Sequence, residues 1–414
     1  MNDLFIKEIN INDVRNIKNF LIPLSCDKKI NLIITGQNGC GKTSLLLEIK
    51  KYLNNVTVGD LEHYNNFKNS LDSQRKRKKD LLLESDVQKN EIQLIDNQIR
   101  NLENWFKKWG GVELDINDPL ELSNKFKDGE FIIAYFGAKR DTKLKTPTGI
   151  NKIDIKQVYP IDEHAGVDFI QYIVNLKADR SFAKDDNDNK TVSEIDEWFK
   201  IFEKSLHQLF EKSNIQLQFD RKSYNFILIE DSKEPYNLNQ LSDGYSAILN
   251  IVTELIMRME THKVKSYDVQ GFVLIDEIET HLHVELQKQI LPFLISFFPR
   301  IQFIVTTHSP FVINSIKNTI VCDLEKKFIT SDLTGYSYDT IIESYFGSDN
   351  YSLVLKNSII EFEALTTKRE KSEKETEKYI YLKNFLNEIP KFISDELAVK
   401  LQQIKLVDIN KIKK

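Results

Sequence analysis

The chain has 414 residues, of which 41% are hydrophobic and 29% are charged, and its net charge of −5 gives no global attraction to nucleic acid or to acidic lipid. Three scattered cysteines without CxxC spacing support neither a zinc site nor a disulfide framework. The most apolar run, ILPFLISFFP at Ile290 to Pro299, is too short to span a bilayer, so we expect a soluble, cytoplasmic protein without a membrane partner.

A buried strand and a glycine-rich turn form the first chemical motif. INLIIT, at Ile30 to Thr35, is an unbroken apolar run of the kind that lies inside a parallel sheet. GQNGCGKT and an apolar helix follow it, which is the context that the pattern G-x-x-x-x-G-K-[ST] requires. The pattern predicts that backbone amides wrap the phosphate chain of a nucleotide, that Lys42 reaches the terminal phosphates and that the Thr43 hydroxyl binds Mg²⁺. The predicted phosphate-binding residues of this turn are Gly36, Gly39, Gly41, Lys42, Thr43 and Ser44.

A charged insertion without proline or glycine extends from Leu61 to about Trp109. Apolar residues recur every three or four positions at Ile92, Ile95 and Ile99, which predicts a helical hairpin or a short coiled coil. The insertion also contains the basic run RKRKK, residues 75–79. This run is either a nucleic-acid contact or a solvated helix face that nearby acids balance, and the lack of interleaved aromatic residues favours the second interpretation.

Strand patterns return after the insertion. EFIIAYFGA, at Glu130 to Ala138, is typical of a buried strand, and IQLQFDR and FILIE indicate a hairpin. LSDGYSAILNIV, at Leu241 to Val252, is a turn that runs into an apolar helix. Ser242 is predicted to cap this helix, with Asp243 near its positive end. The alternative is that the turn contacts phosphate.

Two further apolar strands end in side chains that suit phosphate chemistry. GFVLIDE, at Gly271 to Glu277, brings two carboxylates to the carboxyl end of its strand, where open α/β sheets bind ligands. Asp276 is predicted to hold Mg²⁺ through water, and Glu277 to polarise the attacking water. IQFIVTTHS follows one helix later, which directs His308 to the same edge of the sheet. The order strand, helix, strand indicates a parallel α/β organisation.

The order of these motifs resembles that of the ABC/SMC-type ATPases. DEIETHLH (Asp276 to His283) followed by THSP is similar to a subgroup that includes the overcoming-lysogenisation-defect nucleases and the anti-phage ATPases of Septu and retron systems. LSDGYSAIL, YFGAKRD and GYSYDTIIESYFG resemble the PtuA-type ATPases of Septu most. The resemblance implies an α/β fold, an ABC-type ATPase head with a parallel core sheet, helices and an antiparallel β lobe. It implies a head at 1–60 and 112–350, an inserted helical or coiled-coil hairpin at 61–111 and a helical, partner-binding tail at 351–414.

The resemblance also implies roles for individual residues. Asn38 would position the terminal phosphate, and Ser242 and Gly244 would bind the ATP of a neighbouring subunit. His308 would be the switch histidine of the family, and Arg15 would lie near the nucleotide.

The chain departs from the family's LSGGQ pattern at two positions, since Asp243 and Tyr245 replace glycine and glutamine. A carboxylate near the terminal phosphate is unfavourable unless it points away or pairs with a cation, so we expect slow or regulated turnover. Gln157 is a candidate for the glutamine of the family's Q-loop.

These features together predict a Mg²⁺-dependent ATPase, with ATP and Mg²⁺ as the bound groups. In the family, the phosphate loop and the LSDGY-type turn lie on different lobes, which implies a head-to-tail dimer, or a higher oligomer, that encloses ATP between subunits. The resemblance implies a sensor or regulatory subunit of an anti-phage complex. Because the chain shows no HNH set and no nuclease metal motif after Gly347, the effector would be a separate HNH nuclease of the PtuB type.

Two other functions are compatible with the motifs. One is an SMC-like DNA-binding ATPase of DNA repair or chromosome maintenance, and the other is an ATP-dependent scaffold without nucleic acid. The insertion of 49 residues from Leu61 to Trp109 disfavours the first, because it folds back to an arm of only about 35 Å at roughly 1.5 Å per helical residue.

Overall fold

A computed structural model describes residues 3–59, 61–82, 89–140, 143–212, 214–231, 234–260, 267–331, 333–341, 353–368 and 371–388. The chain forms two units, Met1–Tyr338 and Asp339–Lys414. The predicted head boundary at residue 350, the end of the GYSYDTIIESYFG motif and the predicted tail beyond residue 388 lie outside the described residues.

A six-stranded sheet forms the centre of the first unit. Its strands are β3 (Asn31–Thr35), β5 (Phe131–Phe136), β9 (Gln270–Ile275), β10 (Ile301–Thr306), β11 (Thr319–Asp323) and β12 (Phe328–Ser331). The order across the sheet is β12-β11-β3-β10-β9-β5. Every neighbouring pair is parallel except β11 and β12, which are antiparallel.

The apolar runs of the sequence are explained by the position of these strands. All positions of β3, β9 and β10 are buried. Strands that are covered on both faces have no solvent side that would require polar residues, so their sequences are mainly apolar without a polar alternation. Because parallel strands place their carboxyl ends at the same edge, the residues that follow β3, β9 and β10 meet there.

Two antiparallel sheets accompany the central sheet. The first has the order β2-β1-β4, with β1 at Ile6–Val14, β2 at Ile17–Pro23 and β4 at Val112–Ile116. The second has the order β6-β7-β8, with β6 at Gln216–Asp220, β7 at Asn225–Ile229 and β8 at Tyr236–Asn237. The predicted hairpin corresponds to β6 and β7, whereas the sequence did not predict β8. The predicted fold class, an α/β head with a parallel core sheet and an antiparallel lobe, is confirmed.

A buried glutamine ties the first antiparallel sheet to the central one. The side chain of Gln302 in β10 is fully buried. Its Oε1 accepts from the amide of Ile6 at 2.8 Å, and its Nε2 donates to the carbonyl of Ile30 at 2.7 Å. Both polar ends are thus satisfied inside the protein, so this burial costs little and fixes β1 beside β3 and β10.

Helices occur in both units of the chain. They are α1 (Lys42–Val58), α2 (Leu61–Leu81), α3 (Lys89–Phe106), α4 (Pro119–Lys127), α5 (Phe169–Asp185), α6 (Asn189–Phe210), α7 (Asp243–Met259), α8 (Val284–Phe297), α9 (Pro310–Ile313), α10 (Tyr338–Thr340), α11 (Leu353–Thr367) and α12 (Glu373–Glu388). Within the described part of the chain, no helix combines the length and the apolar character that a membrane crossing requires.

The predicted insertion contains α2 and α3, which run antiparallel and pack on each other. At their base, the rings of Tyr64 and Trp109 lie 4.2 Å apart and those of Phe67 and Trp105 lie 4.6 Å apart. Ile95 of the predicted apolar seam is 2% exposed. The 21 residues of α2 correspond to a length of about 30 Å.

A buried ion pair fixes α7 to the central sheet. Glu254 and Arg258 lie one turn apart on α7, with Nε of the arginine 2.7 Å from Oε1 of the glutamate. The glutamate also accepts from the amide of Gly166 at 2.7 Å, and the arginine donates to the carbonyl of Ile133 in β5 at 2.9 Å. Since buried charges are tolerated only when their hydrogen bonds are satisfied, these contacts fix the helix that begins at the LSDGY turn.

The second unit contains a helical pair of its own. Ile359, Phe362 and Leu365 of α11 pack against Leu382 and Leu386 of α12 in a small apolar cluster. The predicted helical character of this region agrees with the two helices that the structure describes there.

Candidate nucleotide-binding site

The glycine-rich turn connects β3 to α1. Gly39 and Gly41 have φ angles of 85° and 110°, in the left-handed region that residues with a Cβ rarely adopt. Lys42 is buried, and its Nζ donates to the carbonyls of Gly36 at 2.9 Å and Gln37 at 3.1 Å. No side chain caps the N-terminus of α1. A buried cation and uncapped helix amides are therefore the features that this turn offers to an anion.

The other candidates near this turn are accessible. Asn38 is exposed and Ser44 is half-buried. Arg15 lies in the turn between β1 and β2, is exposed and has a φ of 53°. Ile17, which follows this turn, would lie 3.6 Å from a Cβ built on Gly41. The structure therefore brings the turn of Arg15 next to the glycine-rich turn.

A hydroxyl of the glycine-rich turn meets a carboxylate of the acid strand. Asp276 follows β9 and is 4% exposed. Its Oδ1 accepts from Oγ1 of Thr306 at 2.6 Å and from Oγ1 of Thr43 at 3.2 Å. A carboxylate beside a threonine hydroxyl is an all-oxygen arrangement, which is the ligand chemistry that Mg²⁺ prefers.

Glu277 is held in an unusual backbone conformation. Its φ is 45°, a conformation that costs a non-glycine residue about 1–3 kcal/mol and that the surrounding contacts must enforce. Its amide donates to Oγ1 of Thr306 at 2.7 Å. Its carboxylate is half-buried, and Oε2 accepts from Oγ1 of Thr280 at 3.3 Å. The side chain therefore stays accessible for proton transfer while its backbone is fixed.

His308 follows β10 at the same edge. Its amide donates to Oε1 of Glu279 at 2.5 Å. Burial is the main cause that lowers the pKa of the imidazole, and the nearby Lys42 ammonium lowers it further. His308 is therefore neutral at neutral pH. Among the residues that the structure describes, its buried Nε2 has no hydrogen-bond partner. A buried imidazole nitrogen without a partner fits a position beside a phosphate oxygen, which would complete its hydrogen bonding.

The sequence interpretation missed three residues of this edge, Arg140, Glu279 and Thr306. The Arg140 guanidinium is buried and donates to the carbonyls of Asp276 at 2.7 Å and Glu277 at 2.8 Å. Burial lowers the pKa of Arg140 to about 10, and the nearby carboxylates oppose this shift, so it is charged at neutral pH. The sequence signals were the motifs YFGAKRD for Arg140, DEIETHLH for Glu279 and the strand end IQFIVTTHS for Thr306. For Arg140 the signal was weak, because the residues between 139 and 152 otherwise suggest an exposed loop.

The LSDGY turn packs against the turn that follows the acid strand. Ser242 occupies the N-cap position of α7, but its side chain makes no capping hydrogen bond, in contrast to the predicted cap. Ser242 and Asp243 are exposed. A Cβ built on Gly244 would lie 3.0 Å from the carbonyl of His281, a separation that favours glycine there.

Gln157 lies at the opposite edge of the sheet. Its Nε2 donates to the carbonyl of Asp128 at 3.3 Å, before the start of β5. The glycine-rich turn and the acids follow the carboxyl ends of their strands, so Gln157 is not placed to act as a Q-loop glutamine. The segment at this position, directly after β5, begins with Gly137 and contains Arg140 instead.

Known proteins with related sequences include two of the types that the resemblance indicated. A Septu protein PtuA of Bacillus mycoides (strain KBAB4) is 34% identical over 140 residues, which are 29% of this chain and 20% of that protein. The retron Vc95 probable ATPase of Vibrio cholerae serotype O1 biovar El Tor is 23% identical over 390 residues, with 78% of this chain and 74% of that protein covered. The matched region thus spans only about a fifth of the PtuA protein.

A solved structure of an SmcHead bound to the C-winged helix domain of ScpA covers 80% of this chain and 99% of that chain, at 12% identity and a TM-score of 0.40. At this score the likeness adds nothing to the topology described above. The sequence profile described as "AAA domain, putative AbiEii toxin, Type IV TA system" matches residues 32–314. Because this match covers more than half of the chain and includes both the glycine-rich turn and the acid strand, the chain belongs to this AAA ATPase domain family.

Proposed function

We propose that this chain binds ATP together with Mg²⁺ and hydrolyses ATP to ADP and phosphate at the edge formed by β3, β9 and β10. The observation that carries this function is the hydrogen bond from Thr43 to Asp276, because it joins the glycine-rich turn to the acid strand. Lys42 and the amides of the turn would hold the phosphates, with Asn38 and Arg15 beside them. Asp276 and Thr43 would hold Mg²⁺, which when bound neutralises charge on the phosphates. Glu277 would accept the proton of the attacking water, and His308 would contact the terminal phosphate.

Removal of divalent metal is the direct test of this function. Phosphate release from ATP by the purified chain is expected to stop in excess EDTA and to return when Mg²⁺ is added. Asp276 and Thr43 carry no positive charge, so without the metal they cannot neutralise the charge of the phosphates. A coupled phosphate assay measures the rate. Metal-independent release, or no release with Mg²⁺, would contradict the proposal.

We also propose that two copies close the site together, head to tail. Ser242 and Gly244 would then contact the ATP held by the other copy. The exposed Ser242 side chain, which makes no capping hydrogen bond to its own helix, supports this role. Asp243, also exposed, would bring negative charge towards the phosphates, which makes slow or regulated turnover the expectation.

The related proteins support a more specific role for this ATPase. Because the chain is similar to a Septu PtuA and to retron ATPases, we propose that it acts as the sensor or regulatory subunit of a cytoplasmic anti-phage complex. The effector would be a separate HNH-type nuclease of the PtuB kind. The division into a head, an inserted hairpin and a partner-binding tail that begins at about residue 351 remains part of this proposal.

The neighbouring gene provides the test of the partner. We expect it to encode an HNH nuclease that co-purifies with the tagged chain from the native host, and whose recovery changes between ATP and no nucleotide. The Lys42→Ala variant is the control for the nucleotide effect. A solitary gene with no nuclease recovered would exclude the partner while leaving the ATPase function intact.

An SMC-like DNA-binding function receives little support from the insertion. In its basic run, Arg75, Arg77 and Lys78 pair with acids of α3 at 2.9, 2.7 and 2.6 Å. These exposed pairs balance much of the local charge, so the run offers few free cations to a phosphate backbone. The interpretation as a solvated helix face therefore agrees better with the contacts.

A further inference from the structure

Arg140 is a buried cation that binds backbone carbonyls. It lies in the first loop after β5 and is 8% exposed. Its Nη2 donates to the carbonyls of Asp276 at 2.7 Å and Glu277 at 2.8 Å, and its Nη1 donates to the carbonyl of Ile278 at 3.2 Å. Its Nε donates to the carbonyl of Gly137 at 3.2 Å. One guanidinium thus holds three consecutive carbonyls of the turn that follows the acid strand.

The geometry of this turn explains the need for such a partner. Glu277 and His281 have φ angles of 45° and 67°, which residues with a Cβ rarely adopt. Three carbonyls that converge on one point also repel each other, and a planar group with five donors compensates this repulsion. On its other side, the amide of Glu277 donates to Oγ1 of Thr306. The backbone of Glu277 is therefore fixed at both ends, by a threonine and by Arg140.

The same turn supports the LSDGY turn. A Cβ on Gly244 would lie 3.0 Å from the carbonyl of His281. A cavity of about 300 Å³ beside them is lined by Arg140, Asn239, Asp243 and His281, among others. A shift of the turn after the acid strand would therefore displace both the Glu277 carboxylate and the surface against which the LSDGY turn rests.

From these contacts we infer that Arg140 is a positioning residue for ATP hydrolysis, which sets the direction of Glu277 by holding the carbonyls of its turn. The inference rests on the proposed function of Glu277 as the proton acceptor. The guanidinium donates to the backbone carbonyls of the acids, so it acts on the reaction through the backbone. A lysine would keep the positive charge but would present three donors from one atom in place of the planar fork.

The Arg140→Lys variant separates positioning from charge. Its kcat for ATP is expected to fall at least about tenfold, since a displacement near 1 Å of a reacting group costs roughly 100-fold. Its KM and its Kd for a fluorescent ATP analogue should stay within about twofold of wild type, because the glycine-rich turn is unchanged. In Arg140→Ala, added guanidinium at millimolar concentration should restore part of the lost turnover. The control is Arg300→Ala, which also removes an arginine bound to a backbone carbonyl. Added guanidinium should not change the turnover of this variant.

The possible outcomes separate the positioning role of Arg140 from the ATPase function. Wild-type kcat in Arg140→Lys would overturn the positioning role while the ATPase function stands. A fall in kcat that comes with weaker nucleotide binding and a lower midpoint of thermal unfolding, without rescue by guanidinium, would also overturn it. Such changes would indicate general destabilisation. A wild-type chain that releases no phosphate from ATP would overturn the proposed function, and the role of Arg140 with it.

Discussion

Replacing Lys42 by alanine is expected to weaken ATP binding roughly 10- to 100-fold, because a hydrogen bond between a charged group and a phosphate is worth about 1.5–3 kcal/mol. The ammonium is buried and is held by the carbonyls of Gly36 and Gln37, so it is fixed before nucleotide arrives. Phosphate release should fall with binding. Titration with a fluorescent ATP analogue, at constant Mg²⁺, measures the change in Kd.

The control for Lys42 lies on the same helix. Lys51 is exposed on α1, and its Nζ donates to the carbonyl of Lys107 in the region of the insertion. Lys51→Ala removes a lysine from α1 as well, so it reports any general effect on the helix. Similar ATP affinities for the two variants, with both chains folded by circular dichroism, would show that the glycine-rich turn does not bind the phosphates.

The central sheet and the edge that carries the site were predictable because their causes are local or nearly so. The runs at Asn31–Thr35, Gln270–Ile275 and Ile301–Thr306 are mainly apolar because both faces are covered. Parallel strands place their carboxyl ends together, and this brought Thr43 beside Asp276 although 233 positions separate them in the chain. Once the strands are taken to be parallel, the sequence alone therefore predicts that these two groups lie close together.

The remaining parts of the site depend on contacts that no local pattern encodes. Arg140 lies between lysines and polar residues that favour an exposed loop, and it is buried because three carbonyls of a distant turn accept its hydrogen bonds. Ser242 fits the preference for an N-cap, yet its hydroxyl makes no capping hydrogen bond. For Gln157 the sequence offers only the residue type, and its hydrogen bond to the Asp128 carbonyl puts it at the edge opposite to the glycine-rich turn.

The contacts of the two adjacent acids differ, because one carboxylate is held in place and the other is accessible. Asp276 is buried and bound by two threonine hydroxyls, so it has little freedom. Glu277 has a fixed backbone but is half-buried, and its carboxylate accepts a long hydrogen bond from Thr280 at 3.3 Å. A metal ligand benefits from the first arrangement, and a proton acceptor that must reach water benefits from the second. The two acids, although adjacent, are thus suited to different roles.

Replacing Glu277 by glutamine is therefore expected to lower kcat by about 100- to 10,000-fold, the range for loss of a general base, while ATP affinity stays near wild type. Glutamine keeps the size of the side chain and cannot take the proton. With hydrolysis blocked, the ATP-bound dimer should accumulate, which mass photometry with and without ATP measures. Glu285→Gln is the matched control, since this exposed acid of α8 pairs with Lys288 at 2.9 Å outside the site. Hydrolysis at the wild-type rate would refute the role of Glu277, and blocked hydrolysis without a dimer would refute the head-to-tail arrangement alone.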